Sequence, residues 1–416
     1  MFLSKEEINM VKKIIKSYDY SLILAVILLC SFGLVMVYSS SMITAVARYG
    51  FEPDHFFERQ KLALIAGGLA FLVMMILPYR AFLDGRVLKF VVFGSIGLLI
   101  SLFFIGHVAG NAQSWIKVGG MSLQPGEFVK LSVIIYLAAV YDKKQTYIDE
   151  FGRGVLPPLI FTGLICFFVV IQPDFGTAFI IGMIAVCMIV SSGMAVKSML
   201  KLISFLLLFA LLMTPYIFIK GFFSDEQLSR FTGVSDPFGN EGGAGYQLVN
   251  SFYAIGSGGL KGLGLGQSVQ KYGYLPESHT DFIMAIIAEE LGILGVLFVL
   301  ILLAFVVLKG FAVARKCQDP FGTLLAVGIS SMIAIQTMIN LGGLTGLIPI
   351  TGVPLPFISY GGSSILLLLI SMGLLVNVSM FTNYREMYKK PTRSEQTDVP
   401  NIKAVQPREK SVFKSF

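Results

Sequence analysis

The residues that could do chemistry gather at the ends of apolar runs. Asp281 opens one such run, directly after Tyr274-Leu275-Pro276-Glu277-Ser278-His279-Thr280. A carboxylate in this place reads in two ways. It is an N-terminal cap for the coming helix, a task Thr280 could share. Alternatively it is a base at a partly desolvated boundary, where burial raises a carboxylate pKa. Glu289 and Glu290 follow in the same run. At 1.5 Å and 100° per residue they lie about 12–13 Å beyond Asp281, with Glu289 about 80° round the axis and Glu290 on the opposite face. At most one of them shares Asp281's surroundings, and both need hydrogen-bond donors on neighbouring helices.

Glu127 and Lys130 stand three apart at the head of another run and so share a helix face. They form an ion pair, or Lys130 faces a cavity as a point charge for a phosphate. Trp115, the single tryptophan, precedes them. It serves as an interfacial anchor or as a flat plane for a sugar. Arg230 has the fork that fits a diphosphate, and equally suits solvent or a lipid headgroup. Gln124-Pro125-Gly126-Glu127 rhymes with Gln172-Pro173-Asp174. In both, Pro suits the first turn of a helix and the acid lies at the positive end of its dipole. The glycine-rich run from Gly256 to Gly266 is no P-loop, since no Gly-Lys-Ser/Thr follows it. Its amides cradle an anion, or its glycines permit close backbone packing. Ser359 lies in a Pro/Gly-rich stretch from Gly342 to Gly362.

These residues have to be held by elements suited to a bilayer. Only 14% of the 416 residues are charged and 55% are apolar, with a mean hydropathy of +0.77. That excludes a soluble globular enzyme and a disordered chain. Ten apolar runs stand out, at about 20–41, 60–78, 88–107, 124–141, 155–172, 174–192, 199–219, 281–308, 322–345 and 362–382. They are too long for barrel strands and predict an all-α polytopic membrane protein. Most of the Lys and Arg fall in segments that share one side if the N-terminus is cytoplasmic, which predicts an even number of spans and both termini inside. Residues 1–19 form a cytoplasmic N-terminus, and the first run is an uncleaved span. A large outer loop covers about 220–280, with a short helix over Tyr246–Ile255 ending at Gly256. The basic, Pro-containing tail of 386–416 reads as disordered.

Four cysteines and three histidines show no metal or disulfide spacing. No basic stripe with interleaved aromatics exists, so the net charge of +7 does not point to nucleic acid.

In their order, several stretches resemble the SEDS family of membrane proteins, which comprises FtsW, RodA and SpoVE. They are Ala112-Gln113-Ser114-Trp115-Ile116, Gln124 to Leu131, Gln172 to Thr177, Tyr274 to Phe282 through Glu289-Glu290-Leu291-Gly292, and Gly346 to Ser364. The resemblance covers about residues 18–385. It departs at Ser114, where many members carry Arg. The wording around Gly106–Lys117 and Ile350–Ser359 is most like the FtsW branch of low-GC Gram-positive bacteria.

The resemblance implies ten transmembrane helices and an enzyme that polymerises lipid II into glycan strands at the outer face of the cytoplasmic membrane, at the division septum. It implies work beside a class B penicillin-binding protein and other divisome membrane proteins. Asp281 matches the family's essential acid, and Trp115, Glu127 and Lys130 match positions needed around the same cavity. Arg230 is a further substrate contact, and Glu289, Glu290, Asp174 and Ser359 are supporting residues. A divalent cation, Mg²⁺ or Mn²⁺, is compatible with this chemistry, with Asp281 as a possible ligand. A RodA-like elongation polymerase and a lipid II flippase are the competing readings.

Overall fold

A computed structural model describes residues 5–109, 112–118, 121–145, 150–194, 200–201, 204, 229, 232–243 and 245–388. The helices in chain order are α1 (Lys5–Lys16), α2 (Tyr20–Tyr49), α3 (His55–Ile76), α4 (Gly85–Ile105), α5 (Pro125–Lys143), α6 (Leu156–Ile171) and α7 (Phe175–Val190). After them come α8 (Tyr246–Gly258), α9 (Ile283–Lys316), α10 (Pro320–Leu344) and α11 (Gly362–Tyr388). Six of these, α2, α3, α4, α9, α10 and α11, are long and apolar enough to cross a membrane. α6 and α7 are shorter apolar helices. α5 is 19 residues long and carries Glu127, Lys130, Asp142 and Lys143. The chain is a multi-pass membrane protein.

Nine of the ten expected runs therefore appear as helices with close to the expected bounds. All but three residues of the remaining one, 199–219, lie outside the described residues, as do Arg230 and the tail beyond Tyr388. The helix expected at Tyr246–Ile255 is α8, and it runs on to Gly258.

Burial sorts the helices into layers. α11 and α10 are the most buried of the long apolar helices, and Val129, Ile134, Leu137 and Ala138 of α5 share one core with Leu325, Ile329 and Ile333 of α10. α3 and α4 present Leu62, Ile65, Leu69, Val73, Phe90 and Phe104 outward. Such a contiguous apolar surface would be a liability in water and is the ordinary exterior of a bilayer protein. Small residues bring helices close. A methyl group added at Gly67 would meet Leu369 of α11 at 2.6 Å, and one at Gly328 would meet Ile134 of α5 at 2.6 Å.

Two features correct the expectation of plain helices. The loop between α4 and α5 folds into a small antiparallel sheet in the order β1 (His107–Ala109), β2 (Ala112–Val118), β3 (Met121–Leu123). His107 pairs with Trp115, and Lys117 pairs with Ser122. Strands this short carry too little alternation to be read from sequence. Secondly, α9 is two helices joined at Gly292, whose φ of 63° and ψ of −159° suit glycine alone. The glycine-rich run fills the break. The amides of Leu263 and Gly264 donate to the carbonyls of Glu289 and Glu290, both at 2.9 Å, and Ile293 N donates to Gly259 O at 3.1 Å. A Cβ at Gly262 would sit 2.2 Å from Glu290 O. Of the two readings for these glycines, close backbone packing is what the structure shows.

Candidate active site at the head of α9

Asp281 sits just before α9, and the N-cap position belongs to Phe282, not to Asp281. Three successive carbonyls hold the segment. His279 O accepts from Tyr360 N at 2.9 Å, Thr280 O accepts from Ser359 Oγ at 2.6 Å, and Asp281 O accepts from Asn340 Nδ2 at 2.8 Å. Asn340 Nδ2 also donates to Val353 O at 2.9 Å, and Leu355 N donates to Ser359 Oγ at 2.8 Å. Gln60 of α3 completes the frame. Its Nε2 donates to Ser359 O at 3.3 Å, and its Oε1 accepts from Gly361 N at 3.2 Å. Residues far apart in sequence thus fix the backbone on which Asp281 stands. The space beside Asp281, lined by Ile339, Asn340, Gly343, Ile350 and Gly352, is about 10 Å³. That admits about one water.

His279 is buried and packs on Phe56 with centroids 4.5 Å apart. Burial, with Arg48 nearby, pushes its imidazole down to about 4. A base whose folded value lies below its unfolded one favours the fold while neutral. That contribution is complete above about pH 6.5 and is lost as pH falls towards the folded value.

The second group lies at the starts of α5 and α7. Asp174 caps α7, accepting Thr177 N and Thr177 Oγ1, each at 3.0 Å. Gln124 Nε2 reaches Asp174 Oδ2 at 3.4 Å. Lys130 Nζ donates to Glu127 Oε1 at 2.8 Å, and both side chains are buried, 1% and 6% exposed. Of the two sequence readings, the ion pair is the one the structure shows. The two groups meet through the 350–353 stretch. A Cβ on Gly176 would lie 3.2 Å from Thr351 O, and one on Gly352 would lie 3.6 Å from Asp281 Oδ2. Trp115 lies half-buried on β2, beside this region through β3. Ser363 Oγ accepts from Gln124 N at 3.0 Å and donates to Ser122 O of β3 at 3.1 Å.

Glu289 and Glu290 do not line Asp281's cavity. Their donors come chiefly from the 268–271 loop and from α2, which corrects the expectation of neighbouring helices alone. Glu289 accepts from Ser268 Oγ and from Val269 N at 2.9 Å. Glu290 accepts from Ser39 Oγ of α2 at 2.7 Å and pairs with Lys271 Nζ at 2.7 Å. Both members of that pair are fully buried. They clamp the 268–271 loop to α9 and α2.

Sequence reasoning missed Lys271, Asn340 and Gln60. Two adjacent acids in an apolar run demand a buried cation, and Lys271 was the near candidate. Asn340 and Gln60 carry no local signal. Asn340→Ala is expected to lower activity at Asp281 by about 10–100-fold with the chain still folded, since small misplacements of a reacting group cost that much. Turnover and thermal unfolding of the purified variant check this, and unchanged turnover would remove Asn340 from the frame.

A family model described as the cell cycle protein family FtsW/RodA/SpoVE matches residues 20–384. The probable peptidoglycan glycosyltransferase FtsW of Bacillus subtilis (strain 168) is 62% identical over 383 residues, 92% of this chain and 95% of that one. Stage V sporulation protein E of the same organism is 38% identical over 374 residues, 88% of this chain and 98% of that one. Among solved structures, a chain of a peptidoglycan synthase complex superposes with a TM-score of 0.71 at 24% identity, covering 90% of this chain and 99% of that chain. The rod shape determining protein RodA of Thermus thermophilus gives 0.61 at 24% identity, covering 90% and 98%. These structural likenesses speak for the fold.

Proposed function

The chain belongs to the FtsW/RodA/SpoVE family, and from that premise we propose that it is a peptidoglycan glycosyltransferase that polymerises lipid II, with Asp281 at the reacting centre. The observation that carries the placement is the frame of three pinned carbonyls at 279–281, which fixes the segment bearing one carboxylate. The donor is a sugar on a polyprenyl diphosphate, and the acceptor is the 4-hydroxyl of a second lipid-linked sugar. Asp281 takes the hydroxyl proton as the oxygen bonds to the anomeric carbon. The bond from that carbon to the diphosphate breaks, and the diphosphate leaves with the electron pair. A base so placed contributes about 10²–10⁴-fold.

Among the described residues no group of three His, Cys, Asp or Glu side chains could hold a metal. A dedicated metal cage is therefore not what these residues fit. Mg²⁺ or Mn²⁺ arriving with the substrate diphosphate needs only one or two carboxylates, and Asp281 is the one in place. Trp115 and Arg230 are the further substrate contacts in this reading, and Lys130 reaches the diphosphate only when Glu127 releases it.

The 62% identity to the Bacillus subtilis FtsW favours septal synthesis at division over elongation. The partner in this reading is a class B penicillin-binding protein, alongside other divisome membrane proteins. Purified chain with lipid II and its transpeptidase is expected to yield glycan polymer on a gel. Transbilayer movement of lipid II without polymer would overturn the proposal.

The same reading has ten spans, with 199–219 added to nine of the described helices, α2–α7 and α9–α11, residues 20–385 as one membrane domain and both termini in the cytoplasm. A reporter fused after Lys390 is expected in the cytoplasm, and a tag near Gly239 is expected to react with impermeant reagents from outside. An externally reactive tail would invert the site's placement.

A further inference from the structure

The helix before the first span takes no part in the site, yet it is held firmly. α1 ends in an elbow at Ser17–Asp19 that is pinned to three other helices. Ser17 O accepts from Asn383 Nδ2 of α11 at 3.0 Å, and Tyr18 hydroxyl donates to Met75 O at the end of α3 at 3.1 Å. Asp19 caps α2 through Leu22 N at 3.3 Å and meets Lys309 of α9 at 3.4 Å. Tyr20 hydroxyl donates back to Ile15 O at 2.9 Å, and the Lys13 ammonium lies 5.2 Å from the Tyr388 ring centre. These contacts hold α1 at the level where α2 begins and α3 and α11 end. At that level hydrocarbon gives way to headgroups.

Its last two turns are two-faced. At 100° per residue, Met10, Val11, Ile14 and Ile15 fall within about 140° of arc, and Asn9, Lys12, Lys13 and Lys16 occupy about 100° on the other side, while Glu7 of the first turn falls inside the apolar arc. Met10, Val11 and Ile15 are 56%, 45% and 51% exposed, so the described residues do not cover the apolar face. We propose that α1 is an interfacial helix that docks on an anionic phospholipid surface. Its apolar face enters the acyl boundary, and Lys12, Lys13 and Lys16 meet the phosphates. The occupant follows from the charge of the polar face and from continuity with the lipid-facing surface of α2, where Leu24 and Ile27 are also exposed.

The test uses the full chain in nanodiscs of phosphatidylcholine, alone or mixed with phosphatidylglycerol. Amide exchange over residues 5–16 is expected to slow about tenfold in the anionic discs, and Lys12→Glu with Lys16→Glu is expected to abolish that gain. A fluorophore on Val11→Cys or Ile15→Cys, with the four native cysteines replaced, is expected to be quenched by brominated lipid, and one on Lys12→Cys is not. Equal exchange in both discs would overturn the anionic preference. Unquenched labels at Val11 and Ile15 would overturn the docking and hand the face to a protein partner.

Discussion

Asp281→Asn is expected to reduce lipid II polymerisation by about 10²–10⁴-fold, to background on a gel, while the protein still folds and binds its transpeptidase. The substitution keeps the shape of the side chain and removes its charge. It leaves intact the Asp281 carbonyl that accepts from Asn340, so the local backbone has no reason to move. Asn caps a helix about as well as Asp, so loss of a cap cannot account for a large effect. Activity loss alone does not separate a base from a metal ligand. Asp281→Glu does. A ligand role shifts the dependence on Mg²⁺ or Mn²⁺, whereas a base role changes the pH profile at fixed metal. Robust polymer from Asp281→Asn would sink the site and the mechanism together.

How much of this was legible beforehand depended on the range of the interactions involved. Apolar runs announce themselves because a bilayer requires long stretches without charge, and nine of them recur as helices. Glu127 and Lys130 were readable as a pair because three residues on a helix bring two side chains together. Asn340, Gln60 and Ser359 act across gaps of 59 to 301 residues, and no local pattern encodes such a meeting. Lys271 reads as a solvated loop charge until Glu290 is seen to need it. The break at Gly292 was hidden for a related reason. Glycine inside an apolar helix is common enough in membranes, and only the backbone of Gly258–Gly264 arriving alongside makes a left-handed residue necessary there. The helical wheel therefore could not give the partners of Glu289 and Glu290.

Lys130→Ala is expected to abolish polymerisation and to destabilise the chain, and the two effects have to be separated. Lys130 and Glu127 are buried together at 2.8 Å. Removing one partner of a buried pair leaves an uncompensated charge, at a cost of about 3–5 kcal/mol, whereas replacing both by apolar residues of similar volume is often neutral. Lys130→Met combined with Glu127→Leu is therefore expected to recover the thermal stability that Lys130→Met alone loses. What this double variant does with lipid II is decisive. If Lys130 meets the leaving diphosphate once Glu127 lets go, the refolded double variant stays inactive. Lys130→Arg, which keeps a cation but not its compact shape, then recovers only part of the rate. If the pair merely holds α5 against α7 behind Asp174, polymerisation returns along with stability. The comparison needs melting and turnover measured on the same preparations, because a variant that never folds answers neither question. Full activity from the stable double variant would confine Glu127 and Lys130 to packing and leave Asp281 without a cation from α5.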